Sequence, residues 1–506
     1  MSAQLPDMLE KLIVDGTKVG WYPERIAAWK RGERIAPVTI DCAMTRRCQA
    51  ACSFCAPPGQ EVLLESGARV PIENVTLGAR VISAERWGCN VTGIMSRIVN
   101  EQLIRVVVGH NSCVVTGEHP IFTRTGYRRA DELVCGDEIG IYSVEGVANT
   151  FFSPITSVER VDYSGPVYNL GVEGNNSYIL NGIGVHNCYA QMQASESDIP
   201  IDRDCFFDFL TDAAEIGVKG VSFISDGEST VVPWYAEAVE HAAALGLAVG
   251  AGSNGIKLTR PTLERCLPHL SYLRFNFSAG EEARYAQIMG VPRHTYHDVI
   301  QNIKDGMEII RRDSLTCTLN MQLVCDPKDA DQLIPFARLC CELKPSYGVI
   351  KHCADDSEGT LGVDYSKYDQ LMEVFDRCEE LGREAGVRIE VKRSRLDGKR
   401  DYHRCYGPPF IMQVSGNGLV APCGFLFNEK WKAFHIGNIT RERFKDIWAS
   451  DRYLEVMQYL ASEHFDPSVR CGPNCLQHNT NKFLYDHIHR GKALPVVEAP
   501  PHMAFL

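Results

Sequence analysis

No stretch of the 506-residue chain approaches the roughly 18 to 20 consecutive apolar residues that cross a bilayer. The opening, MSAQLPDMLEKLIVDG, has neither the basic start nor the apolar centre of a secretory signal, which points to the cytoplasm. Positive charge is in deficit: 52 Lys and Arg stand against 64 Asp and Glu, a net charge of -12. That balance argues against a general polyanion binder, and nucleic acid is not indicated as a partner. Repeats at a solenoid period, low-complexity tracts and long linkers are also missing. What remains, 45% hydrophobic and 23% charged, is the composition of a globular protein. The length is too great for one ordinary core and implies about two to four domains.

Cysteine is abundant, at 20 residues, and in a reducing compartment clustered thiols are metal ligands or nucleophiles before they are disulfides. Nine of them (Cys42, Cys205, Cys266, Cys317, Cys325, Cys340, Cys341, Cys353 and Cys378) show no ligand spacing and read as small buried hydrophobes. The pattern lies elsewhere, in Cys48-Gln-Ala-Ala-Cys52-Ser-Phe-Cys55 and in Val185-His186-Asn187-Cys188-Tyr-Ala. If residues 55–187 were removed, Cys188 would stand where Cys55 stands now. The CxxxCxxC motif is thus written twice, once with each third cysteine.

The texture of the chain changes at the same two places. Residues 1–37 form a charged, helical lead-in, and the alternating run from Val38 to Cys42 is a strand that delivers the chain to the thiols. Between Cys55 and Asn187, short β-rich runs after Glu61, Arg80, Leu103, Cys113, Glu138, Val167 and Ser177 alternate with Gly, Asn and Asp turns and leave little room for helix. After Cys188, helical periods at 206–215, 232–245 and 296–312 alternate with strand runs starting at Gly220, Leu247, Tyr272, Thr316, Tyr347 and Val387. Such alternation implies a parallel sheet with crossover helices. From about Cys405 the chain is Gly- and Pro-rich, then helical around 444–460.

The ends of the β-only insert carry a chemistry of their own. Cys55 can attack the preceding carbonyl, that of Phe54, and turn a peptide into a thioester. Cys188 can receive the acyl group by thioester exchange. Asn187 can cyclise through its side-chain amide and cut the chain, with His186 as the neighbouring proton donor. Inside the insert, Thr116 and His119, three apart, can polarise the scissile amide and protonate its leaving nitrogen. The Cys55 start, the Thr116-x-x-His119 motif, the run from Val167 and the ending His186-Asn187-Cys188 resemble an intein of the minimal type. At 133 residues (187 − 55 + 1) it is too short to hold a homing endonuclease. The resemblance implies a horseshoe of strands shared with hedgehog-type autoprocessing domains, the HINT fold. Two positions depart from that family: Asn169 replaces an acidic residue or Cys, and Asn176 replaces a His. Neither amide can move a proton, so splicing lacks two of its usual groups.

Without the insert, 373 residues (506 − 133) remain. Three cysteines, Cys48, Cys52 and Cys188, can hold three irons of a [4Fe-4S] cube and leave the fourth open to a ligand. The spliced Cys48-Gln-Ala-Ala-Cys52-Ser-Phe54-Cys188 resembles the signature of the radical S-adenosylmethionine superfamily. That resemblance implies a (βα) partial barrel in which the open iron binds S-adenosylmethionine. The cosubstrate is then cleaved reductively to a 5'-deoxyadenosyl radical that abstracts hydrogen, with flavodoxin or ferredoxin as the electron donor. It also implies contacts to the cosubstrate from Phe54. Further contacts would come from Asp226, Gly227 and Glu228, which resemble the family's GGEP motif, from Ser253 and Asn254, and from Asn276 and Ser278.

The tail adds four thiols. Cys405 and Cys423, with Gly418 between them, match the opening of SPASM and Twitch extensions, and Cys471 and Cys475 complete a set that can close an auxiliary [4Fe-4S] site. The expected architecture is α/β. Residues 1–54 and 188–400 form a radical S-adenosylmethionine core, 55–187 an inserted all-β intein, and 401–506 a Twitch-like iron-sulfur extension. A peptide or protein substrate is the leading expectation, because such tails accompany peptide modification in many relatives. A self-processing chain whose host is an RNA-modifying enzyme or a non-catalytic iron-sulfur module is the alternative.

Overall fold

Apolar residues alternate with polar or small ones in the runs that start at Thr39, Gly220, Ala248, Leu270, Thr318 and Tyr347. In the computed structural model each run is a strand of one sheet. The residues described are 16–46, 55–84, 88–117, 119–124, 126–143, 149–172, 177–186, 201–355, 363–393, 400–494 and 502–506. Strands β1 (Thr39–Cys42), β2 (Gly220–Phe223), β3 (Ala248–Ser253), β4 (Leu270–Asn276), β5 (Thr318–Cys325), β6 (Tyr347–His352) and β7 (Ile389–Val391) lie side by side in chain order, each parallel to the next. The crossovers carry helices such as Arg203–Glu215, Tyr235–Ala244, His294–Arg312, Leu333–Leu343 and Met372–Ala385. Local signals set their ends. Asp202 caps the first by accepting the Cys205 N–H at 2.7 Å, and the last stops where Gly386 adopts φ 72°.

The sheet's two faces are unlike. Ile40, Val221, Val249, Leu273, Leu319 and Ile350 pack with helix residues such as Phe206, Val239, Ile303 and Phe336 in one apolar core. The alternate positions carry Asp41, Ser222, Gly250, Arg274, Asn320 and Gln322. A parallel sheet covered by helices on both faces reads as an unbroken apolar run. The alternation here marks a sheet with its helices on one face and a polar interior on the other.

The tail continues this sheet. Where the composition implied loop, β8 (Ile411–Val414) pairs parallel with β1 on its free edge, and β9 (Leu419–Ala421) and β10 (Gly437–Asn438) follow antiparallel. The helical stretch beyond them is two helices, Phe444–Ala449 and Asp451–Leu460. They are split at Ser450, whose hydroxyl caps the second by accepting the Tyr453 N–H at 3.1 Å. Among the described residues no helix is long and apolar enough to cross a membrane.

Residues 55–186 are all-β and have apolar clusters of their own, built on residues such as Val62, Val106, Leu170, Leu180 and Val185. The host core runs from Met44 before the insert to Ile201 after it and takes in none of the insert's side chains. Among the described residues the host core is therefore packed without any side chain of the insert. Two of its strands are longer than the sequence runs indicate: Cys89–Val108 and Ser157–Val172 form one antiparallel ribbon, paired through Pro166 and Ile98. Ile98 is 78% exposed, so this part of the ribbon leaves the core, and the polar and Pro residues that masked it in the sequence cost little there.

Candidate functional site

Three groups of functional side chains are positioned by these elements. The first surrounds Cys55, which is 2% exposed. Its N–H donates to Thr116 Oγ1 at 2.9 Å; its carbonyl accepts the Thr116 N–H at 2.8 Å and faces His119 Nδ1 at 3.2 Å. A carbonyl only accepts, so in this geometry Nδ1 carries the hydrogen and Nε2 is bare. Nε2 is buried with no hydrogen-bond partner among the described residues. Burial, opposed by the Cys55 carbonyl and helped by His186, pushes His119 down to about 3. The imidazole is therefore neutral at ordinary pH.

The strand Asn111–Thr116 delivers Thr116, and a turn closed by His119 N–H on the Thr116 carbonyl at 3.0 Å brings the histidine back over it. His186 ends the strand Ile183–His186, whose Val185 pairs with Ile121, two residues beyond His119. The His186 ring stands edge-on to Tyr127 at 4.6 Å. Cys55, Thr116, His119 and His186 are thus brought to one place, while Phe54, Asn176, Asn187 and Cys188 lie outside the described residues. Asn169 is 1% exposed, and its Oδ1 accepts the Tyr178 hydroxyl at 2.9 Å and the Leu170 N–H at 2.8 Å. Burial raises Tyr178 far above its ordinary value and nearby Cys55 adds to it, which puts this pair beside the cysteine.

The second group lies at the carboxyl ends of β1 to β4, where parallel sheets build their sites. Cys48 and Cys52 are outside the described residues, but the segment leading to them is held tightly. Arg46 pairs with Asp226 at 3.0 Å, and Asp226 also accepts the Ser415 hydroxyl at 2.6 Å and the Gly416 N–H at 2.9 Å. Met44 N–H donates to Ser229 Oγ at 3.2 Å. Gly227, at φ 90°, and Gly416 press on the Thr45 main chain, and a Cβ on either would overlap the Thr45 carbonyl. Asp226 and Gly227 thus hold the base of the thiol loop.

Glu228 joins two strand ends: it accepts the Ser253 hydroxyl and the Asn254 N–H, both at 2.8 Å, and the Thr230 hydroxyl at 2.7 Å. Asn276 Oδ1 accepts Gln322 Nε2 at 3.1 Å, and the Ser278 hydroxyl meets Met289 Sδ at 3.1 Å. These six positions, Asp226, Gly227, Glu228, Ser253, Asn254 and Asn276, gather on three adjacent strand ends, with Ser278 just beyond the third.

The third group is in the tail. Cys405, Cys423, Cys471 and Cys475 face one another: burial raises the Cys405 thiol, and Cys475, Cys471 and Cys423 raise it further. Cys471 is pushed up to about 12 by the same two causes, burial and Cys475. Four partly buried thiols close enough to raise one another cannot readily ionise together without a cation among them, which is the environment a metal group reverses. No three described His, Cys, Asp or Glu side chains close around a single-ion position. A cluster, whose cage holds its thiols further apart than one zinc ion would, fits this set better. His478 is turned away to the Tyr402 hydroxyl at 3.2 Å.

Several participants have no motif. Arg46 and Ser415 are legible only through Asp226. Asn481 binds the Tyr406 and Gly407 N–H groups at 2.7 and 2.8 Å and donates toward Cys475 Sγ at 3.6 Å. Asp41 and Arg274 occupy the polar face of the sheet, and the alternation of Tyr272, Arg274 and Asn276 with apolar residues was the signal for it.

Residues 405–476 match the family model of SPASM, an iron-sulfur cluster-binding domain. No curated protein matches the chain. Among solved structures, a variant of the Ssp DnaB mini-intein is 19% identical, covers 27% of this chain and 95% of its own, and has a TM-score of 0.24. A DnaB intein from Synechocystis is 19% identical over 27% of this chain and 99% of its own, with a TM-score of 0.24. A bacterial intein-like domain from Clostridium thermocellum is 22% identical over 26% of this chain and 98% of its own, with a TM-score of 0.23. The C-terminal region thus matches an iron-sulfur binding family, and these three solved structures, inteins or intein-like, are each matched over about a quarter of the chain.

Proposed function

We propose that the chain is the precursor of a radical S-adenosylmethionine enzyme interrupted, inside its own cluster motif, by a self-splicing mini-intein. The observation that carries this reading is the grip of Thr116 and His119 on the main chain of Cys55, inside an all-β unit that, among the described residues, contributes no side chain to the host core.

The insert's residues account for the splicing steps. Cys55 Sγ attacks the Phe54 carbonyl carbon; the C–N bond to Cys55 breaks, and the thiol proton ends on the departing nitrogen. Thr116 fixes that nitrogen, and the His119 Nδ1–H sits at the adjoining carbonyl, so the peptide is held rigid while its acyl half moves. Cys188 then takes the acyl group from Cys55, and the Asn187 side-chain amide attacks its own carbonyl, breaking the bond to Cys188. The acyl group finally moves from Cys188 sulfur to its nitrogen and leaves an ordinary peptide.

In the host, Cys48, Cys52 and the newly exposed Cys188 would hold the cluster that binds S-adenosylmethionine, and Cys405, Cys423, Cys471 and Cys475 an auxiliary, Twitch-like cluster. When bound, these groups supply the one-electron chemistry that begins hydrogen abstraction from a peptide or protein. The chain's own part is to fix the thiol loop through Arg46, Asp226, Gly227 and Gly416, and to present Glu228, Ser253, Asn254 and Asn276 beside it. The one-sided parallel sheet supports a partial barrel whose polar face receives the substrate.

Intact-mass measurement of the expressed protein tests the reading. Products of 373 and 133 residues are expected, and Cys55→Ala with Asn187→Ala should leave the full-length chain. A wild-type chain that stays intact under reducing conditions rules out active splicing. A 373-residue product that takes up no iron on anaerobic reconstitution and leaves S-adenosylmethionine uncleaved rules out the host enzyme.

A further inference from the structure

The polar face of the parallel sheet contains a cation with no contact ion pair among the described residues. Arg274 projects from the middle of β4, between Tyr272 and Asn276 on the same face, while Leu273 and Phe275 enter the apolar core on the other. Its Nε is buried with no hydrogen-bond partner, and among the described residues the guanidinium makes no ion pair. Gly252 on the neighbouring strand makes room for it: a Cβ there would stand 3.2 Å from Arg274 Nη2. Three strands away, Asp41 feels the Arg274 charge without touching it, and its hydrogen bonds come from neutral donors, the Ser222 hydroxyl and Gln413 Nε2, the latter at 3.3 Å. Glu390, which also acts on Tyr347, is taken up by Arg388 at 2.7 Å and by Lys392, and the other titratable groups here are Lys351, Tyr272 and Tyr347, so among the described residues no carboxylate is in contact with Arg274.

The hollow also has a floor. The Thr39 hydroxyl donates to the Ala504 carbonyl at 2.6 Å, and Phe505 stands edge-on to Tyr272 at 5.0 Å, so residues 502–506 close the amino-terminal end of the sheet below Arg274. The opposite end carries Glu228 and Asn254. A partly buried guanidinium whose Nε lacks an acceptor is costly, and a planar fork of N–H donors in such a place is matched by a carboxylate or a phosphate.

We infer that Arg274 is the anchor for an oxyanion group of the substrate, a carboxylate or a phosphate, inserted into the polar hollow of the sheet. This rests on the reading of that hollow as the substrate chamber of the host enzyme. The chamber wall then selects a substrate whose buried end is anionic, and Ser222, Asn320 and Gln322, each under 6% exposed, supply neutral hydrogen bonding around it.

The test uses the spliced, anaerobically reconstituted protein and reads its melting temperature against inorganic phosphate and, separately, N-acetylglycinate. One of the two should stabilise the wild type, because a ligand that binds only the folded state raises its stability. Stabilisation by phosphate identifies a phosphorylated substrate, and stabilisation by N-acetylglycinate a carboxylate one. Arg274→Met should melt no lower than wild type without anion, since it removes a partly buried charge that no contact ion pair holds, and should weaken the apparent anion affinity at least tenfold. Arg274→Lys, which keeps the charge, should retain the stabilisation with reduced affinity and serves if the Met variant does not fold.

Wild-type protein stabilised by neither anion would overturn the inference, as would undiminished anion stabilisation in Arg274→Met. A melting temperature lowered in that variant without anion would make Arg274 structural instead. Affinity for S-adenosylhomocysteine should be unchanged; a parallel tenfold loss would assign Arg274 to the cosubstrate and overturn the inference. Iron content is measured on the same samples, so failure of the host's cluster is seen separately from failure of the anion site.

Discussion

The depressed basicity of His119 makes a prediction that can be worked through. Burial takes its pKa from an ordinary 6.5 to about 3. Below pH 6.5 the unfolded chain binds a proton that the folded insert refuses, so this contribution to stability is complete above 6.5 and is lost as pH falls toward 3. At about 1.36 kcal/mol per pKa unit, lowering the pH to 4 should remove about 3 kcal/mol from the insert. The perturbation is best made in the Cys55→Ala, Asn187→Ala chain, because alanine keeps the Cys55 N–H and carbonyl that Thr116 and His119 hold. Histidine-labelled NMR should show His119 neutral, protonated at Nδ1 and bare at Nε2, down to about pH 4. Amide exchange in the strands Asn111–Thr116 and Ile183–His186 should quicken across the same range, and His119→Asn should remove that dependence. His502, lowered to about 4 by burial and by Lys18, gives the host an independent acid response read in its own strands. An His119 signal titrating near 6.5, or protection in the insert that is flat from pH 7 to pH 4, would refute the reasoning.

Thr116→Ala removes the acceptor of the Cys55 N–H; at about 1 to 2 kcal/mol for that bond, thiol-induced cleavage at Cys55 should slow roughly 5- to 30-fold with folding intact. Gly416→Ala should displace the Thr45–Arg46 main chain, and anaerobic reconstitution should then lose the iron held through Cys48 and Cys52 while that of the tail stays. Cys423→Ser should do the reverse: about half of the reconstituted iron is lost, and the rate of splicing by mass analysis is unchanged. Asn169→Asp places an ionisable group next to Tyr178, and splicing of that variant should become faster, with an added step in its pH profile that the wild type does not show.

What could be read from the chain was what repeats or stands at short spacing. Thr116 and His119 are three residues apart, and both share one tight turn, so their pattern survives in one dimension. The strands and helices of the host follow their periods closely because each is a long, strongly patterned segment. The tail's opening strand was missed for the opposite reason. Ile411–Val414 is short, flanked by Pro and Gly, and it is a strand because β1, more than 360 residues earlier, leaves an edge for it.

The same distance hides the geometry of the cluster loop. Arg46 beside Cys48 reads as one more surface charge until Asp226 and Gly416, 180 and 370 positions away, are folded onto it. Asp226 was expected as a contact to the cosubstrate through its likeness to a family motif, yet its oxygens are taken up by Arg46, Ser415 and Gly416. That arrangement has a consequence for the order of events. The tie between residues 44–46, β2 and the tail uses residues on both sides of the insert and none within it, so on the proposed reading the base of the cluster site is organised before Cys188 arrives there. The precursor can therefore fold first and gain its third thiol by splicing, rather than waiting for splicing to assemble the fold.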